Sequence, residues 1–188
     1  MRRVGVVVGS HSMFSEDQNP FEILGIAATF DVDAAALDEA YFAHQSLVHP
    51  DRFVYHSEPE RQVALVQSSL LNRAYETLKT PTLRAKALLK LRGIDVLEDA
   101  SQTVQDDQVL EEMMAFQEAL MEAVSPYDLT QLENQIQERL QIVKTSFSSA
   151  LQQNSNKELL GLFLRLTYLS KLLGDIKVRR RQSSVKVL

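Results

Sequence analysis

The stretch "SLVHPDRF", Ser46 to Phe53, decides how the first half of the chain folds. The side chains before and within it recur at spacings of 4, 3 and 4, which is one face of a helix: Leu37, Tyr41, His44 and Val48. The residue before a proline avoids the α region, so this helix is predicted to end at Val48 or His49. The tripeptide His49-Pro50-Asp51 is therefore expected on a loop just past a helix end.

Start and stop signals predict helices on both sides of this loop. Asn19 before a proline begins a short helix that stops near Gly25, and Asp31 or Asp33 is expected to cap the helix before the tripeptide. Ser57, followed by Pro59 and Glu60, begins a long helix. Its predicted buried stripe is Val63, Val66, Leu70, Ala74 and Leu78. A further short helix follows Pro81 and is closed by Gly93.

The second half of the chain predicts three long helices joined by short turns. The first runs from about residue 106 to 124, with a core stripe at Val109, Met113, Phe116, Leu120 and Ala123. The second carries Leu129, Leu132, Ile136, Leu140, Val143, Phe147 and Leu151. The third carries Leu162, Leu166, Leu169, Leu173 and Ile176. Helices with such stripes bury them against one another as a bundle. The acidic stretch 94–105 has no clear period and is predicted to link two domains.

Composition narrows the classes of function. The chain has 188 residues, a formal net charge of -5 and no cysteine. The acidic balance argues against general nucleic-acid binding, and thiolate ligation of zinc or of an iron–sulfur cluster by this chain is excluded. No apolar run approaches the ~20 residues that span a bilayer. Residues 1–18 are interpreted as a disordered or non-native tail, with Met13 as an alternative start. Because no amphipathic presequence is visible, a bacterial cytoplasmic location is expected.

The tripeptide allows three chemical interpretations. His49 with Asp51 could act as a general base and its orienting group, but no nucleophile motif or phosphate loop accompanies them. A metal site would draw on His44, His49, Asp51 and His56, whose spacing matches no standard zinc site. Taken alone, three such residues favour a loop that caps a helix end.

A second candidate surface lies on the first helix of the bundle. Beside its core stripe it carries a second one at successive i+4 positions: Leu110, Met114, Glu118 and Glu122. Adaptable Leu and Met side chains with a charged rim suit a partner surface. The alternative, which the sequence favours equally, is that Leu110 and Met114 only widen the core face.

Taken together, these features resemble the J-domain, a helical hairpin whose tip displays His-Pro-Asp to an ATPase chaperone of the DnaK class. The matching residues are Phe21, Leu24, Gly25, Leu37, Tyr41, His49, Pro50, Asp51, Asn72, Ala74, Tyr75 and Leu78. With the stretch "TPTLRAKALLKLRG" and the acidic bundle, the chain resembles the HscB co-chaperones of iron–sulfur cluster assembly from about residue 19 to 179. The resemblance implies an all-α protein: a J-domain with its following short helix at 19–93, a linker at 94–105 and a three-helix bundle at 106–188.

The resemblance also implies a function without catalysis, metal or cofactor. A co-chaperone of this kind stimulates ATP hydrolysis by an HscA/DnaK-class chaperone and delivers an IscU-type scaffold protein to it. The implied chaperone-binding residues are His49, Pro50, Asp51 and Arg52. The implied scaffold-binding residues are Leu110, Met114, Glu118, Glu122 and Tyr168. The alternative from another class is a structural helical protein that self-associates through its Leu110/Met114 and C-terminal stripes.

The chain departs from the J-domain pattern in its charges. J-domains usually carry Lys and Arg on the helix before the tripeptide, whereas here no Lys or Arg occurs between Arg3 and Arg52. Phe42 stands where the family often has Arg, and His44 where it often has Leu. One hypothesis is a weaker or differently charged chaperone contact through Arg52, Arg61 and Arg73. His44 is interpreted as a packed histidine whose polar edge finds a partner.

Overall fold

The computed structural model describes residues 12–96, 107–153 and 155–185, and this part of the chain is helical without any strand. Its helices are α1 (Pro20–Leu24), α2 (Ala34–Val48), α3 (Glu58–Lys79), α4 (Pro81–Leu91), α5 (Asp107–Glu122), α6 (Pro126–Gln153) and α7 (Asn156–Val185). A 3-10 turn, Pro50–Phe53, follows α2. The predicted all-α class is confirmed. No helix in the described part combines the length and the apolar character that a membrane crossing needs.

Local sequence signals set the helix ends as predicted. Asn19 caps α1 by accepting from the backbone N–H groups of residues 21 and 22. Asp33 accepts from Ala35 N at 2.8 Å and so is the cap of α2. Gly25 and Gly93 end α1 and α4 with φ of 65° and 71°, a left-handed conformation that glycine adopts without a Cβ penalty.

The chain divides into two compact units, residues 1–87 and 88–188. This division falls within α4, whereas the sequence places the domain boundary after residue 93. Arg92, just beyond α4, donates to the carbonyl oxygen of Leu151 on α6, which explains why this end of α4 belongs with the second unit. Most of the predicted linker at 94–105 lies outside the described residues and stays a prediction.

The first unit is a hairpin of α2 and α3 packed with α1. Its core is formed by Phe21, Ile23, Leu24, Phe30, Leu37, Val48, Ala64, Leu70, Leu71, Ala74 and Leu78. The predicted stripe of α3 is right at its last three positions and wrong at Val63 and Val66, which are exposed. Ala64, Gln67 and Leu71 are buried instead. The first turns of α3 lie beside the 3-10 turn and beyond the end of α2, so periodicity alone assigned them the wrong face.

The predicted tail needs a correction at its end. Residues 1–11 lie outside the described part, but Phe14 is buried against the hairpin. The side-chain amide of Gln67 donates to the carbonyl oxygen of Phe14 at 2.9 Å and accepts from its backbone N–H. The Phe14 ring also meets the ring of His44 edge-on, at 5.5 Å between centroids. The segment just before α1 is therefore part of the hairpin unit.

The second unit contains the three predicted bundle helices. The stripe of α6 is buried from Leu129 to Phe147 as predicted, with Ala150 in place of Leu151 at its end. On α7 the fully buried residues are Leu159, Leu162, Phe163, Leu166, Leu169, Leu172 and Ile176. Leu172 takes the place predicted for Leu173. The longest helices, α6 and α7, thus supply most of this core, and α5 packs beside both.

Candidate functional sites

The His49-Pro50-Asp51 turn is fixed by its own backbone. His49 has φ -61° and ψ 127°, the extended conformation required before proline, and this ends α2 at Val48. Arg52 N donates to His49 O at 3.0 Å, which closes the 3-10 turn. The Arg52 guanidinium donates to the carbonyl oxygen of Ser46 in the last turn of α2. The tripeptide therefore lies on a hydrogen-bonded turn at the end of the hairpin, as predicted for a loop past a helix end.

The side chains of His49 and Asp51 lie close together at the surface. The backbone N–H of Asp51 points at His49 Nδ1 at 3.3 Å. The Asp51 carboxylate lies 3.6 Å from the same nitrogen. Both side chains are solvent-accessible, so a partner can contact the imidazole and the carboxylate together.

The surroundings of the histidines bear on their alternative roles as a general base or as metal ligands. No hydroxyl group bonds to the ring of His49 in the part of the chain that the structure describes. His44 Nδ1 lies 2.8 Å from the carbonyl oxygen of Ala40, which confirms its interpretation as a packed histidine with a polar partner. Among the described residues there is no group of three or more His, Asp or Glu side chains that could hold a metal ion.

The hairpin behind the turn is aligned by polar side chains. Tyr41 donates to Asn72 Oδ1 at 2.9 Å, and Tyr75 donates to Asp38 Oδ1 at 2.6 Å. The rings of Tyr41 and Tyr75 stack with centroids 4.2 Å apart. Gln45 donates to the Tyr41 hydroxyl at 2.9 Å and completes the row. These contacts fix the register of α2 against α3 and therefore the direction in which the turn points.

On α5, the two apolar residues of the second stripe are at the surface. Leu110 is 47% exposed and Met114 is 64% exposed, whereas Val109 and Leu120 are buried. The alternative that Leu110 and Met114 widen the core face is therefore wrong. They form, with the residues at their helical spacing, an exposed row of apolar side chains along α5.

The sequence analysis missed one member of this row. Met121 is 67% exposed and lies seven residues after Met114, that is, two turns further along the same line. Its spacing of 11 from Leu110 was a usable signal, since 11 residues make just over three full turns. The exposed row, called here the α5 stripe, consists of Leu110, Met114 and Met121.

The two edges of the α5 stripe differ in charge. At about 100° per residue, one edge carries the carboxylates of Asp107, Glu111, Glu118 and Glu122. All four are exposed. On the other edge, the Tyr168 hydroxyl of α7 donates to Met113 O at 2.6 Å and lies 3.3 Å from Gln117 Oε1. The predicted residues Leu110, Met114, Glu118, Glu122 and Tyr168 are thus brought together on one surface.

Tyr168 also holds α5 in place. Partial burial, assisted by the negative charge of Asp175, raises the pKa of the Tyr168 phenol above its usual value. The hydroxyl therefore stays protonated and keeps donating to the backbone of α5. Its proton is used in this bond, so the hydroxyl oxygen can only accept from a partner, and the ring of Tyr168 offers an apolar face beside it.

Two further contacts anchor α5 to its neighbours. Glu112 accepts from Arg139 of α6 and lies within 3.4 Å of Arg165 Nε of α7, so one carboxylate joins all three helices. The bond to Glu112 raises the pKa of the Arg139 guanidinium. At the end of α5, Arg179 donates to the carbonyl oxygens of Leu120 and Met121.

Comparison with known proteins identifies the family of proteins that carries both of these surfaces. Residues 105–177 match the family model described as the HSCB C-terminal oligomerisation domain. A co-chaperone protein HscB homolog of Pseudoalteromonas atlantica is 32% identical over 168 residues, which is 86% of this chain and 95% of that protein. This chain belongs to the HscB co-chaperone family. The human iron-sulfur cluster co-chaperone protein HscB is 32% identical over 160 residues, covering 85% of this chain and 68% of the human protein.

Solved structures of HscB proteins have the same fold. The crystal structure of human co-chaperone protein HscB superposes with a TM-score of 0.84 at 31% identity, covering 88% of this chain and 84% of that one. The chaperone HscB from Vibrio cholerae superposes with a TM-score of 0.77 at 27% identity, covering 88% of this chain and 99% of that one. The all-helical HscB architecture is therefore shared along most of the chain.

Proposed function

We propose that this HscB-family protein is an adaptor that stimulates ATP hydrolysis by an HscA/DnaK-class chaperone and delivers an IscU-type scaffold protein to it. The observation that carries the proposal is the fixed display of His49, Pro50 and Asp51 at the end of the hairpin. A donor and an acceptor held at one separation can bind one conformation of a partner better than another. Such differential affinity is all that a shift toward the hydrolysing state requires.

The chemistry of ATP hydrolysis belongs to the chaperone in this proposal. Nucleotide, magnesium and phosphoryl transfer lie in the partner, and this chain contributes binding free energy alone. Arg52 supports the turn by its bond to Ser46 O, so its part in chaperone binding is at least partly positional.

The scaffold is assigned to the α5 stripe. Leu and Met side chains adapt to a partner's apolar surface, and the acidic edge beside them favours a partner with basic groups there. Glu118 and Glu122 supply part of this edge, and the ring of Tyr168 borders the opposite side. The iron–sulfur cluster would be held by the ligands of the scaffold, since this chain contains no cysteine.

A second candidate use of the α5 stripe is self-association. It is favoured by the exposure of Met114 and Met121 and by the word "oligomerisation" in the description of the matching family model. The mass of the protein in solution, measured with and without the scaffold, separates the two. Scaffold binding by a monomer supports the adaptor, whereas a dimer that excludes the scaffold supports self-association.

The decisive test is the steady-state ATPase rate of the cognate HscA-type chaperone with scaffold present. We expect the wild type to stimulate the rate and His49→Gln to lose at least about tenfold of its potency, because the turn's donor geometry is lost. His56→Gln is the matched control, since His56 is another exposed histidine seven residues further on. If neither wild type nor His49→Gln stimulates while both are folded, the proposed function is wrong.

A further inference from the structure

Two methionines on α5 are the most exposed ones in the described part of the chain. Met114 is 64% exposed and Met121 is 67% exposed, compared with 37% for Met13, while Met113 is partly buried. Oxidants attack the thioether sulfur of methionine, and exposure decides which sulfur they reach first. The chain contains no cysteine, so no thiol of its own takes up an oxidant before them. The α5 stripe therefore holds the two most accessible sulfurs among the described residues.

Oxidation changes the chemistry of such a side chain. Hydrogen peroxide gives one oxygen to the sulfur: an S–O bond forms, the O–O bond breaks, and the remaining oxygen leaves as water. The sulfur loses the two electrons that the peroxide gains, and a flexible apolar side chain becomes a polar sulfoxide. Burying the sulfoxide oxygen against an apolar surface that offers no hydrogen-bond donor costs free energy.

The positions of the two methionines place this change at the centre of the α5 stripe. Both belong to the stripe, and after their oxidation Leu110 alone would keep its apolar character. The neighbouring edge already presents the carboxylates of Glu118 and Glu122, whose oxygens only accept hydrogen bonds. Two sulfoxide oxygens would add acceptors to the same side of the helix. A partner that matches an apolar row would then meet a surface of acceptors.

The helix itself is held by contacts that do not use either thioether. Glu112 accepts from Arg139 of α6, and the Tyr168 hydroxyl of α7 donates to the backbone of α5. Arg179 donates to the carbonyl oxygen of Met121, which is a backbone atom and is unchanged by oxidation of the side chain. Sulfoxide formation is therefore expected to change the surface of α5 while the helix stays in place.

We infer that Met114 and Met121 form a reversible oxidation site that controls scaffold binding. Peroxide converts the two thioethers to sulfoxides and lowers the affinity of the α5 stripe for the IscU-type scaffold. A methionine sulfoxide reductase supplied with a dithiol reverses the step: the sulfoxide oxygen leaves as water, and the dithiol becomes a disulfide. The inference rests on the proposed function and adds a regulation of the same surface.

The test treats the full-length protein alone with hydrogen peroxide. Catalase then removes the peroxide before scaffold is added, so that the thiols of the scaffold are not oxidised. Isothermal titration calorimetry should show scaffold affinity about tenfold lower after treatment than before. Peptide mass spectrometry should find one added oxygen on Met114 and on Met121 at peroxide doses that leave Met113 unmodified.

Two variants assign the effect to these sulfurs. Met114→Leu with Met121→Leu keeps apolar side chains of similar volume but removes the oxidisable atoms. Its affinity for scaffold is compared with itself before and after peroxide, and this ratio should stay near one. Met13→Leu is the matched control, because Met13 lies in the hairpin unit. This variant should lose affinity on oxidation as the wild type does.

A reductase arm tests the wild type without any substitution. Oxidised wild type incubated with methionine sulfoxide reductases for both sulfoxide epimers should recover its affinity. Circular dichroism should show the same helix content before and after oxidation. A loss of helix content together with the loss of binding would attribute the effect to unfolding and overturn the inference.

The other outcomes are also decisive. Unchanged scaffold affinity in a wild type that carries both sulfoxides overturns the inference and leaves the proposed function standing. An equal loss of affinity in the double Leu variant places the effect at another residue and overturns the inference too. A wild type that fails to bind scaffold before any treatment contradicts the proposed function, and the regulation falls with it.

Discussion

Helices α2 and α5 share an unusual balance between buried and exposed apolar side chains. The fully buried residues of α2 are Leu37 and Val48, and those of α5 are Val109 and Leu120. Both helices instead expose large apolar side chains, Phe42 and Leu47 on α2 and the α5 stripe on α5, and are tied to their neighbours by polar contacts. A helix that presents a surface to a partner gives up contacts in its own core, and hydrogen bonds or ion pairs to adjacent helices compensate for them.

The two helices differ in the kind of polar contact and in the charge around the exposed row. Helix α2 is held to α3 by the hydrogen bond from Tyr41 to Asn72 and by the one that Asp38 accepts from Tyr75, and α2 itself contains no Lys or Arg. Helix α5 is held through Glu112 and its arginines, and four carboxylates line one edge of the α5 stripe. The acidic edge of the α5 stripe thus favours a partner with basic groups, and α2 has no counterpart to it in positive charge.

The largest expected effect is a loss of scaffold binding when the α5 stripe is changed. Leu110→Ala with Met114→Ala should weaken scaffold binding about 100-fold, because both side chains lie at the centre of the α5 stripe. Met121→Ala alone should weaken it by a smaller factor. A variant changed on α2 instead, Phe42→Ala with Leu47→Ala, should bind scaffold as the wild type does. Isothermal titration calorimetry with the purified scaffold measures all of these affinities.

Added salt should weaken scaffold binding, since the acidic edge of the α5 stripe is exposed to screening. If the folded Leu110/Met114 double variant binds the scaffold as tightly as the wild type, the proposal that the scaffold binds α5 is wrong.

A smaller effect concerns how α5 is anchored. Glu112→Ala should lower the free energy of unfolding by about 2 kcal/mol, because Arg139 and the less exposed Arg165 lose their shared counter-charge. Arg165 Nε is buried and has no hydrogen bond among the described residues, and the Glu112 carboxylate that balances its charge lies 3.4 Å away. Urea denaturation measures the loss. Glu118→Ala, on the exposed acidic edge, should change stability little, and equal losses in both variants would contradict the anchoring role.

The smallest effect tests the neutral anchor of the hairpin unit. Gln67→Ala should cost about 1 to 2 kcal/mol, because both backbone groups of Phe14 lose their partner in a buried site. Amide hydrogen exchange at residues 14–18 should rise in this variant. Gln62→Ala, which removes an exposed amide of the same helix, is the control and should leave that exchange unchanged.

The elements that followed from sequence alone are those that depend on local chemistry. Caps at Asn19 and Asp33, the proline after His49 and the glycines at 25 and 93 act on their own neighbours, so the sequence suffices to place helix ends. The tripeptide turn was predictable for the same reason. The long stripe on α6 was predictable because α7, a helix of similar length, packs against it.

The sequence-based predictions that were wrong or undecided depend on what packs against a side chain in the folded protein. Periodicity groups Val63 and Val66 with Leu70 but does not reveal that they lie on the exposed side of α3. Leu110 and Met114 could be core or surface until the packing of α5 was known. The burial of Phe14 depends on Gln67, a polar residue 53 positions away, which no hydrophobic pattern signals.

The position of Arg179 has a practical consequence for dividing the protein. The family match ends at residue 177, so a fragment cut at that limit would look complete by sequence similarity. It would lack the guanidinium that closes the last turn of α5 at Leu120 and Met121. The far end of the α5 stripe would then fray, and a weak partner affinity measured on the fragment would reflect the cut rather than the surface.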